Sequence, residues 1–243
     1  MQQTVRARPP PLTRLGYSDL PRLMSLMTGD EKHSESATST LDVIWVLYDR
    51  VLNVSPETIA DPGRDRFLLS KGHGPMAYYA VLAAKGFIPV EALEDFGAFN
   101  SILGGHPDRN LIPGVEVSSG SLGHGLGLGV GLALGLGLTG PGRNAGRRPR
   151  VVVMLGDAEL DEASNHEAIH FAGATGLERL IAIVIDNSSR SHRLLGGLEG
   201  LFEVAGWEVR DVSGRDHAAI EAAVAAPAPG RPTAVVARVE KKS

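Results

Sequence analysis

The chain alternates between short apolar runs and longer segments in which apolar residues recur every three or four positions. The apolar runs are typical of buried β-strands, and the periodic segments are typical of helices. Strands that alternate with helices favour an α/β fold, so we expect a mainly parallel sheet with helices on both faces. Strands are predicted over 66–70, 151–155, 180–186 and 233–239. Helices are predicted over 17–27, 33–52, 76–85, 89–100, 121–138, 162–176, 198–205 and 216–225.

One segment, SLGHGLGLGVGLALGLGL over 121–138, is long enough to cross a bilayer. It contains His124 and lacks aromatic or basic anchors at its ends, so we interpret it as a helix packed closely on other backbone and expect no membrane partner. The basic, Pro-rich start lacks the apolar core of a signal peptide. We expect a flexible tail over 1–16 and one domain over 17–243.

Composition narrows the possible partners. The 243 residues are 43% hydrophobic and carry a formal net charge of −4. That charge provides no general basic field for nucleic acid or a membrane surface. The chain has no cysteine, which excludes disulfides, thiolate metal sites and a cysteine nucleophile. It also fits a reducing cytoplasm, where we expect the protein to be located.

Candidate chemistry lies at the end of the second predicted strand, in VVVMLGDAELDE. Asp157 follows this strand, and Asn187 follows the next one along the chain. Because the carboxyl ends of parallel strands lie at one edge, these two side chains can meet there. Carboxylate and amide oxygens suit Mg²⁺, or Ca²⁺, rather than zinc. Asp157 could equally be an ordinary helix N-cap, and the pair alone leaves both interpretations open.

The order of several motifs resembles the diphosphate-binding domain of the transketolase family. GDAELDEASNHEAIHFAGATGLERLIAIVIDN is similar to the family's Gly-Asp-Gly segment with its downstream Asn. DRFLLSKGHGPMAYYAVLAAKGF resembles its Arg-Phe-x-Leu-Ser-x-Gly-His-Gly segment, and GGHPDRNLIPGVEVSSGSLGHGLG its Gly-His-Pro and Gly-Val-Glu segments. HSESATSTLDVIWVLY and the Gly-Trp at 206 also match. The resemblance covers 17–240 and implies a thiamin diphosphate-binding fold.

The resemblance also implies ligands for the cofactor. Asp157 and Asn187 would bind Mg²⁺ through their side chains and Ser189 through its carbonyl oxygen, and the metal would bridge the two phosphates of thiamine diphosphate. The backbone of Gly156 and Ala158 would lie close to that diphosphate. A second loop would approach the cofactor through Gly120, Ser121 and Leu122.

Further roles are implied for histidines and acids. His33, His73 and His106 would line the cofactor and substrate channel and help move protons, a role suited to a side chain that titrates near neutral pH. His73 would also contact the cofactor. Glu162 would belong to a carboxylate network beside the cofactor and across the interface with a second chain. We expect Glu159 and Asp161 to start the following helix, where acids are favoured.

Three departures from the family pattern affect the interpretation. Alanine stands at 158 and 163 in place of glycine, and the methyl group at 158 could crowd the phosphate or force an unfavourable backbone conformation. The family's early His-Pro-Gly-Gly appears here as His33-Ser-Glu-Ser, so contacts near His33 should differ. The loop NSSRSHRL replaces the usual Asn-Gly-x-x-x-Asp-Gly, which suggests a changed substrate.

The sequence ends at VEKKS, whereas a complete transketolase continues with a pyrimidine-binding and a C-terminal domain. We therefore expect the N-terminal subunit of a split enzyme that forms an α2β2 assembly with a pyrimidine-domain chain. The implied reaction is transfer of a two-carbon ketol unit from a ketose, or ketose phosphate, to an aldose. Two alternatives stay open: a decarboxylating or acyloin-forming component that acts on 2-oxo acids, and a degenerate domain that binds a partner or cofactor without catalysis.

Overall fold

A computed structural model describes residues 15–28, 34–139, 148–192, 194–226 and 228–241. Its centre is a five-stranded sheet in the order β1-β2-β3-β5-β4, and every neighbouring pair is parallel. This arrangement confirms the predicted α/β class. The strands are β1 (Arg66–Leu69), β2 (Val151–Gly156), β3 (Leu180–Asp186), β4 (Glu208–Ser213) and β5 (Thr233–Arg238).

Helices cover both faces of the sheet, as predicted, and divide the apolar core into two clusters. Four helices pack on one face: α1 (Leu20–Ser25), α2 (Ser34–Val46), α3 (Met76–Ala84) and α7 (His217–Ala225). Three pack on the other: α4 (Gly125–Thr139), α5 (Ala163–Thr175) and α6 (Gly197–Glu203). Alternate residues of the central strands contribute to the two clusters, because side chains of a strand point to opposite faces in turn.

Two predictions about secondary structure were wrong. The helix predicted over 89–100 is only a 3₁₀ turn, Val90–Leu93, followed by further turns. Gly97 and Asn100 have φ values of 73° and 66°, and a left-handed backbone ends a right-handed helix. Strand β4 was not predicted, because charged residues obscure the alternation of this edge strand. The helix predicted over 33–52 continues past α2 as a π-helix, Leu47–Val51.

The Gly/Leu-rich segment forms α4, and its glycines fall into two groups. A Cβ atom added to Gly125 would lie 2.3 Å from the Ser70 side chain, and one added to Gly129 would lie 2.4 Å from Val153 Cγ2. These glycines let α4 approach the sheet closely, as expected. Gly127 and Gly131 face outward, and no described atom outside the helix lies within 4 Å of a Cβ placed there. Within the described ranges, no helix is both long and apolar enough to cross a membrane.

The parallel arrangement brings the loops after β1, β2 and β3 to one edge of the sheet. These three strands are adjacent, so their loops lie side by side. The ends of parallel strands are where open α/β sheets bind ligands. The predicted tail lies outside the described residues except for positions 15 and 16. One domain over 17–243 stays a prediction.

Candidate active site

The loops after β2 and β3 are joined through the carboxylate of Asp157. This side chain is 1% exposed. The backbone N–H of Ser189 donates to Asp157 Oδ2 at 2.7 Å, and the Ser189 hydroxyl donates to Oδ1 at 2.5 Å. The N–H of Ala158 also donates to Oδ1, at 2.8 Å. No cation pairs with Asp157 among the described residues. The hydrogen bonds to this buried carboxylate therefore come from neutral groups, two backbone N–H groups and one hydroxyl.

Asn187 lies at the end of the neighbouring strand and is 8% exposed. Its amide oxygen Oδ1 is buried and accepts no hydrogen bond from any described residue. A buried acceptor without a donor is unfavourable unless a ligand satisfies it. A buried carboxylate without a described cation and an unsatisfied amide oxygen at one sheet edge are a set of oxygen ligands that fits a hard divalent cation such as Mg²⁺. The described residues include no cluster of three or more His, Asp or Glu that could hold a metal.

Glu159, in the loop after β2, is hydrogen-bonded to the loop after β1 and to the segment that precedes α4. It is 1% exposed. Its Oε1 accepts hydrogen bonds from the Ser70 hydroxyl at 2.5 Å and from the Gly123 N–H at 2.9 Å, while Oε2 accepts from the Gly156 N–H at 3.3 Å. Burial raises the pKa of the Glu159 carboxyl above its ordinary value of 4.5, although these hydrogen bonds and Lys71 act against the shift. Glu159 therefore links Ser70, Gly123 and the end of β2.

Glu159 and Asp161 lie in the first turn of a helix, as predicted, but this is a separate 3₁₀ helix, Ala158–Asp161, that precedes α5. Helix α5 begins at Ala163, with Glu162 at its N-cap. Asp161 also forms an ion pair with Arg190 in the loop after β3. The hydrogen bonds of Glu159 could not be read from sequence, since they join segments far apart along the chain.

Two of the predicted histidines lie together beside these loops. The rings of His73 and His106 are 5.0 Å apart between centroids, in an edge-to-face arrangement. Gly120 packs against His106: it has a φ of 131°, and an added Cβ would lie 2.7 Å from His106 Cδ2. Gly72 permits the same close approach, because its added Cβ would lie 2.7 Å from the Gly120 nitrogen. The structure thus brings the segments around 73, 106 and 120 to one place, while His33 lies outside the described residues.

The remaining predicted cofactor residues border this loop. Ser121 is exposed and Leu122 is partly buried. Glu162 is exposed, and its Cβ is close enough to Gly123 that a Cβ added to that glycine would lie 2.7 Å away. Glu162 therefore lies beside the loop that carries Gly120, with its side chain accessible to a ligand or a second chain.

The alanine at 158 does not need a glycine-specific backbone. The positive φ values among described non-glycine residues occur at Asn100 and Ser188, and Ala158 lies in a regular 3₁₀ turn. The same holds for Ala163, the first residue of α5. Ser188, where the family pattern has glycine, has a φ of 57°. At this edge of the sheet, the non-glycine residue with a left-handed backbone is therefore Ser188, and not Ala158 or Ala163.

A comparison with known families decides the identity of this fold. Residues 25–239 match the model described as transketolase, thiamine diphosphate binding domain. The chain belongs to the transketolase family. The parallel sheet and the domain match agree, so this is a thiamine diphosphate-binding domain of that family.

Individual relatives of this transketolase-family chain support the assignment. It is 35% identical to one subunit of the apulose-4-phosphate transketolase of Actinobacillus succinogenes, over 86% of this chain and 76% of that protein. Its fold matches the transketolase from Leishmania mexicana with a TM-score of 0.73 and 26% identity, over 92% of this chain and 36% of that one. The first similarity spans most of a separate transketolase subunit, and the second is to part of a longer chain.

A third relative carries a different name. The chain is 54% identical to ferredoxin fas2 of Rhodococcoides fascians, over 95% of this chain and 74% of that protein. Iron–sulfur clusters are held by cysteine thiolates, and this transketolase-family chain has no cysteine. The similarity therefore concerns the thiamine diphosphate-binding domain and transfers no cysteine-bound iron–sulfur cluster to this chain.

Proposed function

We propose that this chain is the diphosphate-binding subunit of a split transketolase, which transfers a two-carbon ketol unit from a ketose or ketose phosphate to an aldose. It would bind thiamine diphosphate through Mg²⁺ and would be active only with a chain that provides the pyrimidine-binding domain. The observation that carries this proposal is the pair formed by Asp157 and Asn187. One supplies a buried carboxylate without a described cation, and the other a buried amide oxygen without a described donor.

The proposed metal ligands are the Asp157 carboxylate, the Asn187 amide oxygen and the Ser189 carbonyl. The hydrogen bonds from Ser189 to Asp157 fix the carboxylate and leave lone pairs for a cation, since each carboxylate oxygen can accept more than one partner. The remaining ligands of Mg²⁺ would be phosphate oxygens and water. Gly156 and Ala158 would present backbone to the diphosphate, and Gly120, Ser121 and Leu122 would border the cofactor from the other loop.

Thiamine diphosphate, when bound, supplies the carbanion chemistry, and the protein positions the reactants. His73 and His106 form a pair that could bind substrate hydroxyls and move protons between them, because each imidazole can donate or accept. His33 would join them, as the family resemblance implies. Glu162, exposed beside the Gly123 loop, would take part in a carboxylate network with the second chain.

Two observations support a partner chain. The relative from Actinobacillus succinogenes is named as one subunit of its enzyme, which implies at least one other subunit there. The outward face of α4 is apolar, with Gly127 and Gly131 open and Leu128 49% exposed, and Phe171 on neighbouring α5 is 48% exposed. A face of this kind can pack closely on another chain. We propose an α2β2 assembly, in keeping with the symmetry of most oligomers.

The proposal can be tested by purifying the tagged chain from its own cells with Mg²⁺ and thiamine diphosphate present. Mass spectrometry should identify a stoichiometric partner with a pyrimidine-type domain. The reconstituted pair should then transfer a ketol unit from a panel of ketoses to aldoses. If the pair turns over 2-oxo acids and not ketoses, the reaction is decarboxylation and the proposed ketol transfer is wrong. If no partner copurifies and no cofactor binds, the proposed function is wrong, and a non-catalytic binding domain would account for the chain.

A further inference from the structure

Arg190 is an unusual cation at the proposed diphosphate site. It follows Ser189 in the loop after β3, within the segment NSSRSHRL that departs from the family pattern. Its side chain is only 13% exposed and forms an ion pair with Asp161 of the loop after β2. Arg190 thus forms a second link between the loops that Ser189 and Asp157 already join.

The guanidinium group of Arg190 is only partly satisfied. Nη2 donates to Asp161, and Nε donates to the His192 carbonyl at 3.3 Å. Nη1 is buried and has no hydrogen-bond partner among the residues that the structure describes. A buried charged donor without an acceptor is unfavourable, so we expect a ligand acceptor beside Nη1.

The chemistry of that acceptor follows from the donor. Guanidinium groups match the oxygens of phosphate better than any neutral acceptor, because the hydrogen bonds are charge-assisted. The same two loops carry Asp157 and Asn187, whose proposed metal would itself bind phosphate oxygens. We propose that Arg190 Nη1 donates to a phosphate oxygen of a ligand bound at this edge. This inference rests on the proposed function, and the phosphate could belong to the cofactor or to the substrate.

The test is a set of calorimetric titrations on the full-length chain with Mg²⁺. The probes are inorganic pyrophosphate and thiamine diphosphate, with thiamine, which lacks phosphate, as the negative probe. We expect Arg190→Gln to weaken pyrophosphate binding about tenfold, the loss of one charge-assisted hydrogen bond. Arg190→Lys, which keeps the charge without the planar fork, should lose part of that affinity. Circular dichroism melts would show that each variant is folded.

Arg148→Gln is the matched control, because Arg148 is also ion-paired but lies 58% exposed before β2, at the opposite edge of the sheet. It should bind pyrophosphate like the wild type. If Arg190→Gln leaves pyrophosphate binding unchanged but reduces the preference for ribose 5-phosphate over ribose, the ligand is the phosphate of the substrate. If neither changes, the inference is wrong.

Asp157→Ala separates this inference from the proposed function. If that variant loses Mg²⁺-dependent pyrophosphate binding while Arg190→Gln retains both affinity and sugar-phosphate preference, the proposed function stands and the role of Arg190 does not. If Arg190→Gln weakens binding while Asp157→Ala does not, the metal site is wrong but an anion site remains. A wild-type chain that binds neither pyrophosphate nor ribose 5-phosphate would overturn both proposals.

Discussion

Replacement of Glu159 by alanine should destabilise the fold, because this buried carboxylate links the loop after β1, the segment before α4 and the end of β2. Its loss leaves the Ser70 hydroxyl and the N–H groups of Gly123 and Gly156 without their acceptor. Each buried hydrogen bond contributes about 1 kcal/mol, which gives roughly 3 kcal/mol for the set. Removal of this carboxyl offsets part of that loss of stability, because burial raises its pKa and makes its ionised form costly. We therefore expect a net loss of about 2 kcal/mol in the free energy of unfolding.

Urea denaturation of the two proteins at neutral pH would measure this loss. Glu203→Ala is the control, because Glu203 is exposed at the end of α6, and its replacement should change the free energy by no more than about 0.5 kcal/mol. The loss of stability in Glu159→Gln should lie between those of Glu159→Ala and Glu203→Ala. Its amide oxygen can still accept from Ser70 and Gly123, while its amide hydrogens face the Gly156 N–H. A Glu159→Ala protein as stable as the wild type would refute the claim that this residue connects the loops.

Three further predictions test other parts of the site and fold. Gly120→Ala should destabilise the protein by about 1–3 kcal/mol in the same urea assay, because φ is 131° and the new methyl group would meet His106; unchanged stability would contradict this. Ser188→Gly should stabilise the protein by roughly 0.5 kcal/mol, because glycine adopts the left-handed backbone of this position without strain but loses more entropy on folding than serine does. A loss of stability would show that the serine side chain contributes more than the backbone strain costs. Burial would raise the pKa of Asp65, but the N–H groups of Arg150 and Asn53 and the Arg150 guanidinium outweigh it and hold this pKa below its ordinary value of 3.8. The stability it contributes is therefore present above pH 3.8 and is lost as the pH falls through the folded-state pKa, so acid unfolding of Asp65→Asn should depend less on pH in that range.

Much of the fold could be predicted because its inner strands are buried on both faces. Strands β2 and β3 appear in the sequence as nearly continuous apolar runs, and their ends were predicted to within a residue. Edge strand β4 was missed, since it carries Glu208, Arg210 and Asp211 and is only partly buried. The false helix over 89–100 had a helical pattern, but Gly97 and Asn100 require a left-handed backbone that periodicity does not reveal.

The part of the site that could be predicted consists of residues that directly follow a strand of the sheet. Asp157 and Asn187 follow adjacent parallel strands, so their proximity follows from the topology. The role of Glu159 was not predictable, because it depends on Ser70 and Gly123, which only the folded chain brings close. The unsatisfied Nη1 atom of Arg190 could not be predicted for the same reason, although the altered loop around it was evident in the sequence.

The central claim is that the oxygens of Asp157 and Asn187 bind thiamine diphosphate through a divalent cation. The most direct measurement is calorimetric titration of the cofactor into the chain together with its copurified partner, with Mg²⁺ and then with a chelator. We expect saturable uptake of the cofactor with Mg²⁺, and we expect this uptake to be lost with the chelator and in Asp157→Ala. Equal uptake in the wild type, the chelated sample and the variant would contradict it.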